Sequence, residues 1–304
     1  MSSSTHASPL RAVLYALFAN FGIFVAKGVA AVLTSSSAML AEAIHSLADA
    51  GNQGLLLVGM REAKRAPTPE HPLGFGKVAY FWAFLVSVML FTVGGAFSMY
   101  EGWHKLAHPE PIRWPGLAIG VLAVAVVLET FSLLGAIREI RKIARGRSLW
   151  RFFRESRNSE LIVVLGEDIA ALAGLVIALG AVLLALLSGN PRFDAIGSIA
   201  VGALLIVVAV LLAIEIKGLI TGQSAEPYLV DEIRKLIEQR AEVAAVLNLL
   251  TLQLGDAVMV AVKARMQTAG SAAALVDDIN RVEVAVRAAF PEVRWMFFEP
   301  DTEH

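Results

Sequence analysis

Six long apolar segments constrain the fold of this chain more than any other feature of its sequence. Each is close to or above the roughly 20 residues that an α-helix needs to cross the hydrocarbon core of a bilayer. Hydrophobic residues make up 57% of the 304 residues and charged residues only 17%, a balance too apolar for a soluble domain of this length. The segments occupy approximately residues 11–33, 39–60, 78–103, 115–138, 160–187 and 194–216. The sequence therefore predicts an α-helical membrane protein with six transmembrane helices.

The positions of Lys and Arg predict the topology. The loops 61–77 and 138–157, after the second and fourth segments, are strongly basic, whereas the other connecting loops hold only Lys105, Arg113 and Arg192. Basic loops stay in the cytoplasm, so we expect both termini there. The first nine residues are short and polar and give no sign of a cleaved signal peptide. The membrane that we expect is a bacterial inner membrane.

The composition changes after Lys217, where a smaller domain is predicted. Residues 1–217 form the expected membrane domain, residues 218–227 a linker, and residues 228–304 a cytoplasmic domain. Periodicity in the last part predicts a helix at 228–240, strands at 246–254 and 257–266, a helix at 272–290 and a strand at 293–298. This α-β-β-α-β order predicts a small two-layer α/β domain.

The second segment carries ionisable residues inside an apolar stretch. Glu42, His45 and Asp49 are spaced at i, i+3 and i+7, so they share one face of a helix. Charged groups inside a membrane are costly and usually functional. A neutral imidazole with one or two carboxylates can form half of a divalent-metal site, and another helix must supply the rest. Lys27, in the first segment, either extends toward the interface or pairs with an acid such as Glu42.

Three further acids lie within apolar segments. Glu129, in the fourth segment, either pairs with a neighbour such as Thr130 or Ser132 or carries protons along a pathway. Glu167 and Asp168 are adjacent in the fifth segment.

Four local motifs, in order along the chain, are similar to those of one transporter family. They read SSSAMLAEAIHSLADAGNQ, EHPLGFGK, RFDAIGSIAVGALLI and GLITGQSAEPYL. Together they resemble the cation diffusion facilitator family of divalent-metal/proton antiporters, whose His/Asp-x-x-x-Asp pair falls on His45 and Asp49. The resemblance implies a homodimer, a ferredoxin-like cytoplasmic domain and a transport site between the second and fifth spans. It also implies exchange of Zn²⁺ or a related metal against protons.

The fifth span departs from the family pattern. It reads VVLGEDIAALAG, and the expected second ligand pair falls on Glu167 and Ala171 or on Asp168 and Leu172, depending on the flanking motif used for counting. One of the usual four ligands is therefore missing. This Glu-Asp span is similar to the subgroup of the family that includes a mitochondrial zinc transporter.

The metal site implied by the resemblance contains His45, Asp49 and one of Glu167 or Asp168. Glu42 is a candidate fourth ligand or a hydrogen-bond acceptor behind the ligands. One nitrogen with two or three oxygens suits tetrahedral Zn²⁺, and Mn²⁺ or Fe²⁺ also accept such a set.

Glu167 and Asp168 also have a purely structural interpretation. They could form a polar pair bonded to Asn20 or Lys27. Because adjacent residues on a helix point about 100° apart, only one of the two faces the site directly.

The family's accessory metal sites are reduced in this chain. In the first basic loop His71 remains, but the second histidine position is Phe75, so Glu70 and His71 are expected to cap or bridge the loop rather than to hold a second zinc ion. The cytoplasmic part has no histidine before His304 and the chain has no cysteine. We therefore expect that part to act mainly in dimerisation.

The expected function is secondary active transport. The chain would export a divalent metal, Zn²⁺ first and Mn²⁺ or Fe²⁺ next, in exchange for protons by alternating access, with no resident cofactor and no nucleic acid partner. The missing fifth-span ligand leaves a second hypothesis open, a non-transporting structural or regulatory membrane partner. An enzyme such as a membrane metallohydrolase is less favoured, because neither HExxH nor a nucleophile–base pair is found. No GxxxxGK[ST] occurs, so the proton gradient is the expected source of energy.

Overall fold

The computed structural model describes residues 9–109, 111–144, 146–267 and 270–302. These residues divide into two compact units. The first unit is drawn from Met1–Arg61, Phe81–Leu149 and Ser159–Ile216, and the second from Glu62–Tyr80, Trp150–Asn158 and Lys217–His304. The second unit thus includes two loop segments that the sequence placed within the membrane domain.

Helices dominate the first unit and the segments that connect its parts. In chain order they are α1 Pro9–Thr34, α2 Ser37–Ala63, α3 Val78–Met89, α4 Phe97–Ala107, α5 Pro115–Ile143, α6 Leu149–Glu155, α7 Ser159–Ser188 and α8 Arg192–Thr221. A π-helical turn, Leu90–Ala96, joins α3 to α4 without a break. The sequence predicted neither this turn nor the short helix α6 within the second basic loop.

Among the described residues, four helices are long and apolar enough to cross a membrane. They are Val78–Ala107, Pro115–Ile143, Ser159–Ser188 and Arg192–Thr221. In α1 the described apolar stretch is Asn20–Thr34, and α2 is the helix that carries the ionisable residues. The chain is therefore a multi-pass membrane protein.

The end of α8 differs from the prediction. The helix continues to Thr221, so residues 218–221 of the expected linker are helical. The chain leaves the helix at Gly222, whose φ of 114° is accessible to glycine and rarely to other residues. Leu219 is buried, and this burial favours the extra turn.

Glycines allow two of the long helices to touch through their backbones. A Cβ atom on Gly95 would lie 3.2 Å from the carbonyl oxygen of Gly202, and one on Gly102 would lie 2.8 Å from that of Ala195. The Ser198 hydroxyl also donates a 2.9 Å hydrogen bond to the Ser98 carbonyl. The π-helical turn and α4 thus pack against α8 through small residues, as is common in membranes.

A tight turn joins α1 to α2. Ser35 has a positive φ of 57°, and the Ser36 hydroxyl accepts a hydrogen bond from the Met39 N–H, which caps α2. The same hydroxyl donates a 2.6 Å hydrogen bond to Asp194 at the start of α8. The turn therefore fixes where α2 begins and hence which of its faces points inward.

The second unit contains α9 Pro227–Glu238, β1 Val243–Leu254, β2 Ala257–Met266, α10 Ala272–Ala289 and β3 Val293–Pro300. The sheet order is β1-β2-β3, with β1 and β2 antiparallel and β2 and β3 parallel. This is the predicted α-β-β-α-β order. Leu229, Ile233 and Ile237, spaced at i, i+4 and i+8 on α9, belong to the core together with Val282 and Val286 on α10.

Candidate metal centre

The ionisable face of α2 is buried. Glu42 and His45 are 0% exposed and Asp49 is 3% exposed, whereas Leu47 on the same helix is 39% exposed. The predicted spacing therefore places all three residues on an inward face. We call Glu42, His45 and Asp49 the α2 stripe.

Several atoms of the α2 stripe are unsatisfied. Within the described residues, both ring nitrogens of His45, Asp49 Oδ1 and Glu42 Oε1 are buried without a hydrogen-bond partner. His45 Nε2 lies 3.5 Å from Asp49 Oδ2, which is too long for a good hydrogen bond. Leaving such a group unsatisfied costs about 1–3 kcal/mol. Lone pairs of imidazole and carboxylate that converge in a buried site can bind a metal ion.

Lys27 of α1 is paired with the first residue of the stripe. Its ammonium lies 3.1 Å from Glu42 Oε2 and donates a 2.9 Å hydrogen bond to the Ser46 hydroxyl. Lys27 is 1% exposed. Of the two roles considered for Lys27, pairing with Glu42 is the one observed.

The acids of α7 approach the α2 stripe from the other side. Glu167 is buried and accepts a 2.5 Å hydrogen bond from the Asn52 side chain, one turn beyond Asp49. Asp168 is only half-buried. Both are close enough to Asp49 to interact with it electrostatically. The hydrogen-bond partner of Glu167 is therefore Asn52, neither Asn20 nor Lys27.

Gly174, two turns along α7 from Glu167, also contacts the stripe. A Cβ atom at this position would lie 2.7 Å from Glu42 Oε1. The carboxylate of Glu42 thus occupies the space that a side chain on α7 would need.

Glu129 of α5 completes the polar cluster. It is 4% exposed and interacts electrostatically with Lys27 and Glu42. Thr130, considered as its partner, instead donates to the Val126 carbonyl of its own helix. Glu129 therefore belongs with the residues of α1, α2 and α7.

These residues are near one another but do not form a closed set of ligands. Across residues 9–109, 111–144, 146–267 and 270–302, no three His, Asp or Glu side chains are grouped so that they could hold a metal ion. The geometry thus gives a buried pair, His45 and Asp49. Glu167 and Asp168 of α7 are near enough to interact electrostatically with Asp49.

In the first basic loop, Glu70 and His71 make no contact that resembles a metal site within the described residues. His71 closes a turn, with its N–H donating to the Thr68 carbonyl, and its ring lies 4.5 Å from that of Phe75. The Arg65 guanidinium covers the Phe75 ring at 4.6 Å. Glu70 is exposed. The backbone of His71 thus closes a turn within the loop.

The sequence reasoning missed Asn52, Ser46 and Gly174. Asn52 could have been found by extending the stripe, since it follows Asp49 by three residues. Ser46 and Gly174 carry no spacing signal of their own, because each matters only through a contact with another helix.

The family to which this chain belongs follows from comparison with known proteins. Residues 13–217, more than half of the chain, match the cation efflux transmembrane domain family. The chain belongs to this family. It is the family of cation diffusion facilitators that the motifs resemble.

Several named proteins align over most of this chain. The mitochondrial proton-coupled zinc antiporter SLC30A9 of Xenopus laevis is 38% identical over 249 residues, 81% of this chain and 44% of that protein. The human protein of the same name is 37% identical over 231 residues, 75% of this chain and 41% of that protein. Metal tolerance protein C4 of Arabidopsis thaliana is 33% identical over 229 residues, 75% of this chain and 50% of that protein.

The chain therefore spans half or less of the length of these relatives. The expected likeness to the mitochondrial zinc transporter subgroup is confirmed. A bacterial inner membrane finds no support in these names.

Proposed function

We propose that this chain is a secondary active transporter that exchanges Zn²⁺ for protons across a membrane by alternating access. The observation that carries the proposal is the pair His45 and Asp49, buried within helices of a membrane protein and with unsatisfied ligand atoms. The relatives named as proton-coupled zinc antiporters support Zn²⁺ as the cargo. We propose no enzymatic activity, since these relatives are transporters.

His45, Asp49 and Glu167 are the proposed ligands of the transported ion. Glu167 is preferred over Asp168 because it is the more buried of the two and Asn52 on α2 already holds it. One imidazole nitrogen and two carboxylates leave a coordination position for water, as open zinc sites do. The described ligands are not yet grouped, so binding requires the side chains of His45, Asp49 and Glu167 to come together.

Protons compete with the metal for the same atoms. A ligand must be a neutral imidazole or an ionised carboxylate, so metal binding releases protons and protonation releases metal. Exposure of the site to a proton-rich side would therefore discharge the ion. We propose that Asp168 and Glu129, which interact electrostatically with each other, extend the site as a route for protons.

The proposed architecture has six spans, with α1 and α2 crossing the membrane beside the four helices that are long and apolar enough. The basic loops 61–77 and 138–157 would face the cytoplasm, together with both ends of the described chain and a ferredoxin-like domain at about 228–304. This orientation would make the chain an exporter from the cytoplasm.

We further propose that the chain is a homodimer. The face of the sheet opposite α9 and α10 carries a row across the three strands, Leu250, Ala261 and Phe297, paired in register. Leu250 is 61% and Phe297 58% exposed. An apolar sheet face of this kind suits a second copy of the same domain.

A second function is favoured by one observation. No three-ligand group is assembled among the side chains that the structure describes, and Ala171 or Leu172 occupies the remaining ligand position. A member without transport activity is therefore the alternative. If the chain is a transporter, Mn²⁺ or Fe²⁺ is the next candidate for the transported ion after Zn²⁺, since carboxylate-rich sites accept harder ions.

Metal-dependent proton flux in proteoliposomes tests the proposal. Zn²⁺, Mn²⁺, Fe²⁺, Co²⁺ and Cd²⁺ are compared on the wild type, on Asp49→Ala and on Leu47→Ala, a matched control from the outer face of α2. We expect Zn²⁺ to drive flux in the wild type and in Leu47→Ala, and the flux to disappear in Asp49→Ala. A folded dimer without flux for any metal would favour the non-transporting partner.

A further inference from the structure

Neither the proposed metal ligands nor the proposed route for protons includes the buried pair of Lys27 and Glu42. Lys27 is the sole Lys or Arg between Arg11 and Arg61 in the sequence. It is 1% exposed, and Glu42 is 0% exposed. A lysine in the interior of a membrane protein is costly and persists where it is paired and functional.

One oxygen of Glu42 is paired, and the other packs against α7 without a hydrogen-bond partner among the described residues. Oε2 is 3.1 Å from the Lys27 ammonium. Oε1 lies 2.7 Å from the position that a Cβ atom of residue 174 would take, against α7. The ion pair thus holds the carboxylate of Glu42 beside α1 and α7, and Lys27 is the partner that fixes its position.

The ammonium is also close to the other residues of the α2 stripe. Its second hydrogen bond goes to Ser46, the residue that follows His45, and it interacts electrostatically with His45 and Asp49. A positive charge here repels a divalent cation at the stripe, and the carboxylate of Glu42 offsets that repulsion. Lys27 and Glu42 together contribute no net charge.

We propose that Lys27 is a positioning residue, which holds Glu42 out of the ligand set and so limits how tightly the site binds its cation. This inference rests on the proposed transport function. A transporter has to release its cargo, and a third carboxylate in direct contact would strengthen binding and slow release. The neutral pair keeps a polar, buried carboxylate in place without adding its charge to the site.

Zinc binding to the purified, detergent-solubilised protein tests this role. Isothermal titration with Zn²⁺ alone compares the wild type with Lys27→Met, Glu42→Gln and the double variant. Lys27→Met frees the carboxylate, so its Kd should fall by about tenfold or more, because charges in a poorly screened interior interact strongly. Glu42→Gln leaves the ammonium uncompensated, so its Kd should rise by a similar factor.

The double variant is the decisive sample. With both charges removed, its Kd should return to within about threefold of the wild type, since the pair is neutral. Stopped-flow release of Zn²⁺ into a chelator should be slower than wild type in Lys27→Met and unchanged in the double variant. A role confined to folding would not shift the two single variants in opposite directions.

The contrary results are distinct from one another. Loss of zinc binding in both Glu42→Gln and the double variant would show that Glu42 is a ligand and would overturn the proposal. Unchanged Kd values in folded single variants would overturn it too. If Lys27→Met does not fold, Glu42→Gln and the double variant still decide. A wild type that binds no Zn²⁺ would contradict the proposed function itself.

Discussion

The side-chain amide of Asn52 donates a 2.5 Å hydrogen bond to Glu167 and thereby joins α2 to α7. The two helices that carry the proposed ligands are thus linked across the site before any metal ion is bound. Asn52 lies one turn beyond Asp49, so the hydrogen bond also orients Glu167 toward the α2 stripe. A metal ion entering between Asp49 and Glu167 would find one of its carboxylates already in place.

Replacing Asn52 by Ala should weaken zinc binding by about tenfold or more, as loss of a hydrogen-bond partner behind a ligand commonly does. The reason is that Glu167 would lose the donor that orients it. Isothermal titration with Zn²⁺ measures the change. Gln53→Ala, a variant of the neighbouring buried residue, is the control and should retain binding. Equal affinities for Asn52→Ala and the wild type would contradict an orienting role.

Glu167→Gln should reduce zinc affinity more than Asp168→Asn does. Removing a charged partner from a buried polar site costs about 2–5 kcal/mol, so Glu167→Gln should raise Kd by roughly a hundredfold. Asp168 is half-buried and interacts with Glu129, so Asp168→Asn should mainly slow proton flux in proteoliposomes. The reverse ranking in titration would assign the ligand role to Asp168 instead.

Gly174→Ala should destabilise the first unit. The added Cβ would lie 2.7 Å from Glu42 Oε1, and overpacking of this kind costs about 1–3 kcal/mol. Intrinsic tryptophan fluorescence on heating in detergent should show a lower melting temperature. Gly180→Ala is the control on the same helix, because no described atom outside the helix's own nearby backbone lies within 4 Å of its ideal Cβ. Similar melting temperatures for the two variants would show that the Glu42 side chain moves at little cost to make room for the added Cβ.

Much of this site follows from helical geometry, and the remainder depends on contacts between helices. The i, i+3, i+7 spacing of Glu42, His45 and Asp49 predicted a buried face because the period of a helix fixes it. The short turn after α1 made the pairing of Lys27 with Glu42 foreseeable. Nothing in the spacing of α2 or α7 reports which residues meet across the gap between them. The hydrogen bond from Asn52 to Glu167 could therefore not be predicted.

The same distinction applies to the fold. Apolar length predicted the long helices, and alternation predicted the strands of the second unit in the observed order. The π-helical turn Leu90–Ala96 was not foreseen, because it lies where Gly95 contacts α8 and its sequence is as apolar as an ordinary helix. The continuation of α8 to Thr221 was also missed. The glycine that ends the helix, Gly222, lay in the segment interpreted as a linker.

Phe297→Glu should convert the proposed dimer to a monomer. Phe297 is 58% exposed on the apolar sheet face, and a buried unpaired carboxylate there would oppose association. Mass photometry in detergent measures the fraction of dimer. Val284→Glu on α10, where the valine is 64% exposed, is the matched control and should remain dimeric. Dimers of unchanged stability in Phe297→Glu would place the interface elsewhere.

The stability that the ionised carboxyl of Glu242 gives to the second unit should be lost at acid pH. Its own backbone N–H, together with the side chains of Arg240 and Arg281, holds the pKa of its carboxyl below the ordinary value of 4.5. A lowered pKa stabilises the folded state above the unfolded value, and this stabilisation is lost as the pH falls below about 4.5 and through the lower folded value.

Hydrogen exchange of β1 and α10 peptides in the full chain measures this contribution. Glu242→Gln should lower protection by about 0.5 kcal/mol at neutral pH, as expected of a pair near the surface, and should match the wild type once the carboxyl is protonated. Glu232→Gln, from the exposed pair with Lys235, should show a smaller change. A difference that persists unchanged at low pH would show that charge is not the cause.

The glycine contacts that the π-helical turn and α4 make with α8 supply an internal reference distance for spectroscopy. Where Gly102 meets the backbone of Ala195, and Gly95 that of Gly202, there is no room for one helix to slide past the other without a clash. Spin labels on the outward residues Tyr100 and Val207, which are 67% and 57% exposed, should report one narrow distance whether or not zinc and a proton gradient are present. Any broadening measured between α2 and α7 can then be attributed to the ligand-bearing helices, with the α4–α8 pair serving as the fixed frame.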